Sequence, residues 1–188
     1  MFLSDHGVEA RDLLLPFATW PDYLVATPDR DDDRLRGWRE RLQKHRETQV
    51  AFTEAQRIVE RLAPRCVSER RVTHSDPLNA NVLIDDSGDV SALLDRGVSV
   101  VGDPLYELAM LMFCEPWMPA LERNLVRVDA LRRYPNLDGR DVDVRLHASL
   151  LHIGLGMLQY QAFAELTEFV APSTEVVKRF TAEAQDFL

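Results

Sequence analysis

The chain has 188 residues, which suits one ordinary domain and is too short for two independent catalytic domains. Hydrophobic residues make up 46% and charged residues 28% of the sequence, a balance that excludes a disordered or fibrous protein. With 31 acidic against 22 basic residues the net charge is -9, which disfavours a nucleic-acid partner and favours a cationic ligand.

The N-terminal third of the chain is predicted to be helical. Residues 1–28 combine apolar clusters with three prolines, a mixture typical of short helical pieces. An acidic cluster at 29–33 precedes a helical pattern over residues 34–63. Carboxylates at the start of a helix complement the positive end of its dipole, so this cluster needs no functional explanation. Pro64 ends the pattern.

Short β-type runs begin near residue 70. The apolar runs 82–84 and 90–94 flank the sequence Asp-Asp-Ser-Gly-Asp, and a turn-rich segment between two apolar runs is typical of a β-hairpin. Farther on, Asp103 is predicted to cap a helix whose first residue is Pro104.

The remainder of the chain is predicted to be helical. One helix is expected over residues 120–133, and a second over 140–169 that is apolar around its whole circumference. Such a helix is expected at the centre of a domain. Pro172 is predicted to open the last helix, with Ser173 or Thr174 as its N-cap.

Cysteines and apolar runs indicate the compartment. Cys66 and Cys114 are the only cysteines, too few for a disulfide framework or a zinc site, so we expect free buried thiols. No apolar run approaches the roughly 18 residues of a membrane span, and the N-terminus lacks the pattern of a signal peptide. We therefore expect a cytoplasmic protein with no membrane partner.

The stretch that carries chemistry begins at His74. His74, Asp76 and Asn81 follow the pattern His-x-Asp-x-x-x-x-Asn, and Asp95 follows the predicted hairpin. This order matches the catalytic loop and the metal-binding aspartate of kinases. Phosphoryl transfer needs one carboxylate to accept the proton of the attacking hydroxyl, and an amide oxygen and a second carboxylate to hold Mg²⁺ against the phosphates. A loop that leads into a hairpin places these groups on one side of a small cleft.

These residues resemble the aminoglycoside phosphotransferases, a kinase-like family. The family's catalytic loop reads His-Gly-Asp-x-x-x-x-Asn, and its metal segment ends in Gly-Asp-Pro before a helix, which residues 102–104 match. Ser75 replaces the usual glycine, and Arg96 follows Asp95 where an aromatic residue is more usual. An arginine at this position could form an ion pair with Asp95.

The resemblance implies roles for individual residues. Asp76 would be the catalytic base, with His74 bracing its loop. Asn81 and Asp95 would bind Mg²⁺ and, through it, the nucleotide, which is ATP or GTP. Asp103 would steady the catalytic loop from the start of its helix. The implied partner is a small molecule with a hydroxyl group, such as a cationic aminoglycoside.

The resemblance extends from about residue 19 to about 165 and implies the C-terminal lobe of a protein-kinase-like phosphotransferase. This fold is mainly α-helical with a small β-hairpin. We expect a single domain over residues 1–188, made of an N-terminal helical segment (1–69), the catalytic loop and metal-binding hairpin (70–103) and a helical subdomain (104–188).

The family's N-terminal nucleotide lobe is expected to be absent. Lys44 and Lys178, the only lysines, stand in helical patterns and are interpreted as solvated residues rather than phosphate ligands. Gly154 and Gly156 lie in the apolar helix, where close helix packing is expected instead of a nucleotide loop. A homodimer or a separate N-terminal lobe would then cover the apolar surface that this lobe normally covers.

Several side chains are candidates for contact with a cationic sugar. Trp20, Trp117 and Tyr160 could stack on a sugar face, although core packing is favoured for each. His147 and His152, on the apolar helix, are interpreted as core histidines. The acidic candidates, each of which is also explained as a solvated charge, are Asp29, Asp31, Asp32, Asp33, Glu107, Glu115 and Asp138.

Two other functions stay open at this point. The first is a catalytically inactive lobe that binds a small molecule or a partner protein. The second is a metal-dependent hydrolase that uses His74, Asp76 and Asp95 around an activated water. The hydrolase leaves Asn81, at the kinase spacing, unexplained.

Overall fold

The computed structural model describes residues 17–26, 35–67, 71–118 and 141–188. Within these ranges the chain is mainly helical with two small antiparallel sheets, which confirms the predicted fold class. The helices are α1 (Trp20–Ala26), α2 (Trp38–Gln43), α3 (Arg46–Leu62), α4 (Leu105–Cys114), α5 (Val142–Phe163) and α6 (Thr167–Ala184). The strands are β1 (Arg71–Thr73), β2 (Val82–Ile84), β3 (Val90–Leu93) and β4 (Val100–Gly102). The helix predicted over 120–133, the acidic cluster 29–33 and Asp138 lie outside the described residues.

The chain divides into two compact units. The first contains Met1–Trp20 and Ser68–Gly139, and the second contains Pro21–Val67 and Arg140–Leu188. The single domain expected over residues 1–188 stays a prediction. None of the described helices combines the length and the apolar character needed to cross a membrane.

Helix α5 forms the centre of the second unit, as its sequence predicts. Its side chains are buried around most of the circumference, and α3 and α6 pack against it. Helix α3 is amphipathic and buries one face, including Phe52, Ile58, Val59 and Leu62, at the spacing of a helical stripe. Apolar character on all sides therefore distinguishes the central helix from its amphipathic neighbours.

Two predicted long helices are interrupted. The prediction of one continuous helix over 34–63 is wrong. His45 has non-helical dihedral angles, with φ -111° and ψ 83°, and separates α2 from α3. The helix expected over 140–169 is also wrong, because Glu165 adopts a left-handed conformation with φ 56°. The N–H of Leu166 then bonds to the carbonyl of Gln161 at 3.0 Å, the pattern of a Schellman motif that ends a helix.

Pro172 lies inside α6, so the prediction that it opens the last helix is wrong. The hydroxyls predicted to cap that helix are buried and find partners on neighbouring turns and helices. Ser173 Oγ accepts a hydrogen bond from Gln161 Nε2 at 2.9 Å, and Thr174 Oγ1 donates to the carbonyl of Val170 at 2.7 Å. Because these bonds satisfy both hydroxyls, neither residue has to stand at a helix end.

Gly156 does not serve the close packing predicted for it. This glycine is exposed, and apart from its own helix nothing that the structure describes lies within 4 Å of a Cβ built there. Gly102 in the first unit does need to be a glycine, because a Cβ there would lie 2.2 Å from the ring of Trp20. Trp20 is buried and its ring meets Tyr106 edge to face at 5.3 Å, which confirms core packing for this tryptophan. The glycine of the Gly-Asp-Pro segment therefore makes room for a core aromatic side chain.

Two other core predictions are confirmed. Cys66 and Cys114 are buried free thiols. His152 is buried beside the ring of Tyr23, and the partly buried His147 contacts the carbonyl of Asp143 through Nδ1 at 2.8 Å. Both histidines thus belong to the packing of the second unit.

Candidate active site

The candidate site lies in the first unit, on the loop that joins β1 to β2. Strand β1 pairs antiparallel with β4, a pairing that the sequence does not indicate. His74 follows β1 directly and is fully buried, whereas Asp76 and Asn81 are partly exposed. The loop therefore buries its histidine and leaves the carboxylate and the amide within reach of solvent.

Asp76 and Asn81 are in direct contact. Asn81 Nδ2 donates to Asp76 Oδ2 at 2.9 Å and to the Asp76 carbonyl at 3.1 Å. Both bonds use the amide nitrogen of Asn81, so its amide oxygen takes part in neither. No described residue donates to this oxygen or to Asp76 Oδ1. The pair thus offers one carboxylate oxygen and one amide oxygen to a bound molecule.

The hairpin brings Asp95 to the same end of the sheet as Asn81. Strands β2 and β3 pair with Val82 opposite Leu93, and one step farther the N–H of Leu94 donates to the carbonyl of Asn81 at 2.8 Å. Asp95 is the next residue. It is exposed and left-handed, with φ 50°, and its Oδ1 accepts from the N–H of Gly97 at 3.3 Å.

The arginine beside Asp95 does not neutralise it. Across the described ranges no ion pair joins Arg96 to Asp95 or to another carboxylate, and both side chains are exposed. Among the described residues, the contact of the Asp95 carboxylate is the one with the N–H of Gly97.

His74 connects the loop to two neighbouring elements. Its Nε2 lies 2.6 Å from the carbonyl of Leu94, and its backbone N–H donates to Glu107 Oε1 on α4 at 2.5 Å. Since a carbonyl can only accept, Nε2 carries the proton. Nδ1 is buried and has no hydrogen-bond partner in the described part of the chain. This placement is that of a bracing side chain and disfavours His74 as a metal ligand of a hydrolase.

Two further groups near the loop have shifted pKa values. Burial raises the pKa of the Glu107 carboxyl, and the hydrogen bond from the His74 N–H opposes that shift. Burial, and then the charge of Asp76, raises the pKa of the Cys114 thiol to about 11. The thiol is therefore protonated at neutral pH and unsuited to act as a nucleophile. Glu107, one of the acidic candidates for substrate contact, bonds to the loop through Oε1.

Asp103 caps α4 as predicted. It is fully buried, and its Oδ1 accepts from the N–H of Leu105 at 3.0 Å. The helix begins at Leu105, one residue later than expected, and this places Glu107 in its first turn.

Ser75 is strained where the resembled family has glycine. The residue is buried with φ 66°, a left-handed conformation that is unfavourable by about 1–2 kcal/mol for a residue with a side chain. We expect Ser75→Gly to raise the free energy of unfolding by up to about 1 kcal/mol, because relief of this strain exceeds the entropy cost of glycine. Ser75→Val, whose branched side chain tolerates the conformation less, should lower it by about 1–2 kcal/mol. Urea unfolding followed by circular dichroism measures both, and a glycine variant less stable than the valine variant would contradict the explanation.

The oxygen atoms of the site suit Mg²⁺. Asn81 and Asp95 offer an amide oxygen and a carboxylate, ligand types that this cation prefers. The described residues contain no cluster of three or more His, Cys, Asp or Glu that could enclose a metal. This fits a cation that takes one or two protein ligands and completes its shell with phosphate oxygens and water.

Two of the three aromatic candidates are accessible. Trp117 is 38% and Tyr160 is 51% exposed, so the core packing favoured for them is wrong. Trp117 rests against Phe113, with ring centroids 5.9 Å apart.

The chain has a kinase-like phosphotransferase fold, with the candidate site on the loop that joins β1 to β2. The sequence pattern of the phosphotransferase enzyme family matches residues 6–141, and the chain belongs to this family. Hygromycin-B 4-O-kinase of Escherichia coli is 30% identical over 151 residues, which is 79% of this chain and 40% of the relative. The chain thus spans less than half the length of this curated relative.

Crystal structures of a similar protein share the fold. A thermostable mutant of aminoglycoside phosphotransferase APH(4)-Ia in its apo form matches with a TM-score of 0.67 at 25% identity, over 89% of this chain and 54% of that one. A variant of this mutant with one asparagine changed to alanine has been solved in ternary complex with AMP-PNP and hygromycin B. It matches with a TM-score of 0.66 at 26% identity, over 89% of this chain and 53% of that one. The kinase-like fold that the family resemblance implies is therefore confirmed.

Proposed function

We propose that this chain carries the catalytic loop of an antibiotic-inactivating phosphotransferase, which moves the γ-phosphate of ATP or GTP to a hydroxyl of an aminoglycoside. The observation that carries the proposal is the contact of Asp76 with Asn81, on a loop whose hairpin returns Asp95 beside Asn81. Similarity to hygromycin-B 4-O-kinase supports the substrate class, and so does the net charge of -9.

Asp76 is the proposed catalytic base. Asn81 fixes one of its carboxylate oxygens, which leaves Oδ1 to accept a hydrogen bond from the substrate hydroxyl. As the hydroxyl oxygen attacks the γ-phosphorus, its proton passes to this carboxylate, and the bond from phosphorus to the β,γ-bridging oxygen breaks. Orientation of the hydroxyl and removal of its proton are thus assigned to the same atom.

Asn81 and Asp95 are the proposed ligands of Mg²⁺. When bound, the cation would neutralise charge on the phosphates of the nucleotide. Through this cation the two residues would also position the nucleotide. His74 would hold the loop through its contact with the carbonyl of Leu94.

Apolar side chains of the hairpin support a partner that covers this region. Four of them are more than two-fifths exposed: Leu83 (46%), Ile84 (56%), Val90 (42%) and Leu94 (44%). Exposed apolar side chains gathered on one hairpin favour association. The proposed partner that covers these side chains is a separate N-terminal lobe or a second copy of the chain.

Metal-dependent nucleotide binding tests the proposal. We expect isothermal titration with AMP-PNP to give binding that requires Mg²⁺ and that falls at least about 10-fold in Asp95→Asn. Asp86→Asn is the matched control, because it makes the same chemical change on the exposed hairpin turn and should bind as the unmodified chain does. Absence of nucleotide binding by the unmodified chain would contradict the proposal and favour an inactive binding module.

A further inference from the structure

Arg96 is the one lysine or arginine between His74 and Asp103, the segment that holds the proposed site. Six aspartates share this segment: Asp76, Asp85, Asp86, Asp89, Asp95 and Asp103. Because opposite charges attract, an arginine among them is expected to pair with a carboxylate. Within the described ranges no ion pair of Arg96 is found, and its side chain is exposed. The one strongly basic group of an acidic segment thus has no carboxylate partner there.

The backbone on both sides of Arg96 is held by hydrogen bonds. Asp95 precedes it in a left-handed conformation with φ 50°, and Asp95 Oδ1 accepts from the N–H of Gly97 at 3.3 Å. The carbonyl of Arg96 in turn accepts from the N–H of Ser99 at 3.0 Å. Arg96 therefore stands at the corner of a tight turn, with an ordered backbone and a guanidinium that pairs with no described carboxylate.

The turn also explains why Asp95 and Arg96 do not pair with each other. Oδ1 of Asp95 lies against the backbone of Gly97, where an added Cβ would be 3.3 Å from it. The carboxylate thus has a backbone partner in place of the neighbouring guanidinium. Two groups of opposite charge are adjacent in the chain and stay separate, so one can bind a cation while the other binds an anion.

A nucleoside triphosphate needs positive charge at this site. The proposed base Asp76 and the proposed ligand Asp95 are carboxylates, and the phosphates carry charge of the same sign. A single divalent cation offsets only part of that charge. A guanidinium binds phosphate oxygens through two parallel N–H···O bonds. Because Arg96 adjoins the proposed metal ligand, its side chain is long enough to reach a phosphate that shares the cation with Asp95.

We propose that Arg96 binds a phosphate of the nucleoside triphosphate, next to the cation that Asp95 holds. This inference rests on the proposed function, which supplies the nucleotide and assigns Asp95 to the cation. Position 96 is also one of the positions at which the sequence departs from the pattern of the resembled family. The phosphate contact is therefore assigned to this chain by its own residues.

The experiment compares Arg96→Gln, which removes the charge, with Arg96→Lys, which keeps a charge and loses the paired donors. Arg57→Gln is the matched control, because it makes the same change at an exposed arginine of α3 in the second unit. AMP-PNP is titrated calorimetrically into each full chain in the presence of Mg²⁺. We expect the affinity to fall at least about 10-fold in Arg96→Gln and about 3-fold in Arg96→Lys, with Arg57→Gln unchanged.

Binding of Mn²⁺ without nucleotide separates a phosphate contact from a disturbance of the turn. Mn²⁺ suits the same oxygen sites as Mg²⁺, and its free fraction is read by electron paramagnetic resonance. Loss of a positive charge beside Asp95 is expected to leave the Mn²⁺ affinity equal or to raise it by up to about 3-fold. The affinity for the nucleotide thus falls in Arg96→Gln while the affinity for the cation does not.

Three results would contradict these expectations. Nucleotide affinity in Arg96→Gln equal to or above that of the unmodified chain would overturn the inference and leave the proposed function standing. A parallel loss of Mn²⁺ affinity would also overturn it, because it would assign Arg96 to the shape of the turn. Failure of the unmodified chain to bind either Mn²⁺ or AMP-PNP would overturn the proposed function, and the role of Arg96 with it.

Discussion

Asp76→Asn is expected to reduce phosphate transfer about 10³-fold while leaving the loop folded. The amide oxygen of the new side chain can still accept the hydrogen bond from Asn81 Nδ2, so the contact that orders the loop is preserved. The atom that faces the substrate becomes an amide nitrogen, which cannot accept a proton. Loss of a general base of this kind typically lowers the rate 10²- to 10⁴-fold.

The measurement is transfer of labelled γ-phosphate to hygromycin B, with nucleotide binding measured beside it. We expect the affinity for Mg²⁺ and AMP-PNP to change less than about 3-fold, because the proposed ligands Asn81 and Asp95 are untouched. Asp86→Asn, on the exposed turn of the hairpin, controls for the loss of one carboxylate. A variant that transfers phosphate at the unmodified rate would remove Asp76 from the mechanism, and one that loses nucleotide binding would assign it to the metal site instead.

The grouping of Asp76, Asn81 and Asp95 on one side of the loop and hairpin could be predicted because it is local. Five positions separate Asp76 from Asn81, and the turn-rich segment after β2 forces the chain back so that Asp95 returns beside Asn81. A motif within one loop and one hairpin constrains its own geometry, since few other residues take part. The cap made by Asp103 was predictable for the same reason, as it concerns only the next two residues.

Contacts between distant segments could not be predicted in this way. Glu107 follows His74 by 33 positions. A carboxylate in the first turn of a helix is already explained by the helix dipole, so it does not indicate a neighbouring loop. The pairing of β1 with β4 is equally non-local. In both cases the partner is set by how the unit packs, which the pattern of a short segment does not encode.

The helix breaks at His45 and Glu165 show a different limit of prediction from sequence. Sequence signals for helix ends rest on glycine and proline, and neither residue occurs at these turns. Glu165 takes the left-handed position that glycine usually fills, and its side chain pairs with Arg41 at 3.0 Å. Pro172 gives the opposite mistake. Proline is typical of helix ends, yet this residue lies within α6.

Acid is expected to destabilise the fold through His152. The imidazole is buried on α5 against the ring of Tyr23, and burial lowers its pKa from 6.5 to about 3. Below pH 6.5 the unfolded chain binds a proton at this residue that the folded chain does not bind until about pH 3. The free energy of unfolding therefore falls as the pH drops through this window, by about 1.4 kcal/mol per pH unit, or about 2 kcal/mol at pH 5.

His152→Gln isolates this contribution. Glutamine does not titrate, so the difference in unfolding free energy between pH 7.5 and pH 5 should be smaller in the variant by about 2 kcal/mol. Urea unfolding of both proteins at both pH values gives that difference, and all other titrating groups cancel because they are common to the two chains. The variant is expected to be less stable at pH 7.5, since it disturbs the packing with Tyr23, but this loss is independent of pH. An equal loss on acidification in both proteins would show that the buried imidazole takes up its proton without unfolding the helical unit, contrary to the effect of its burial.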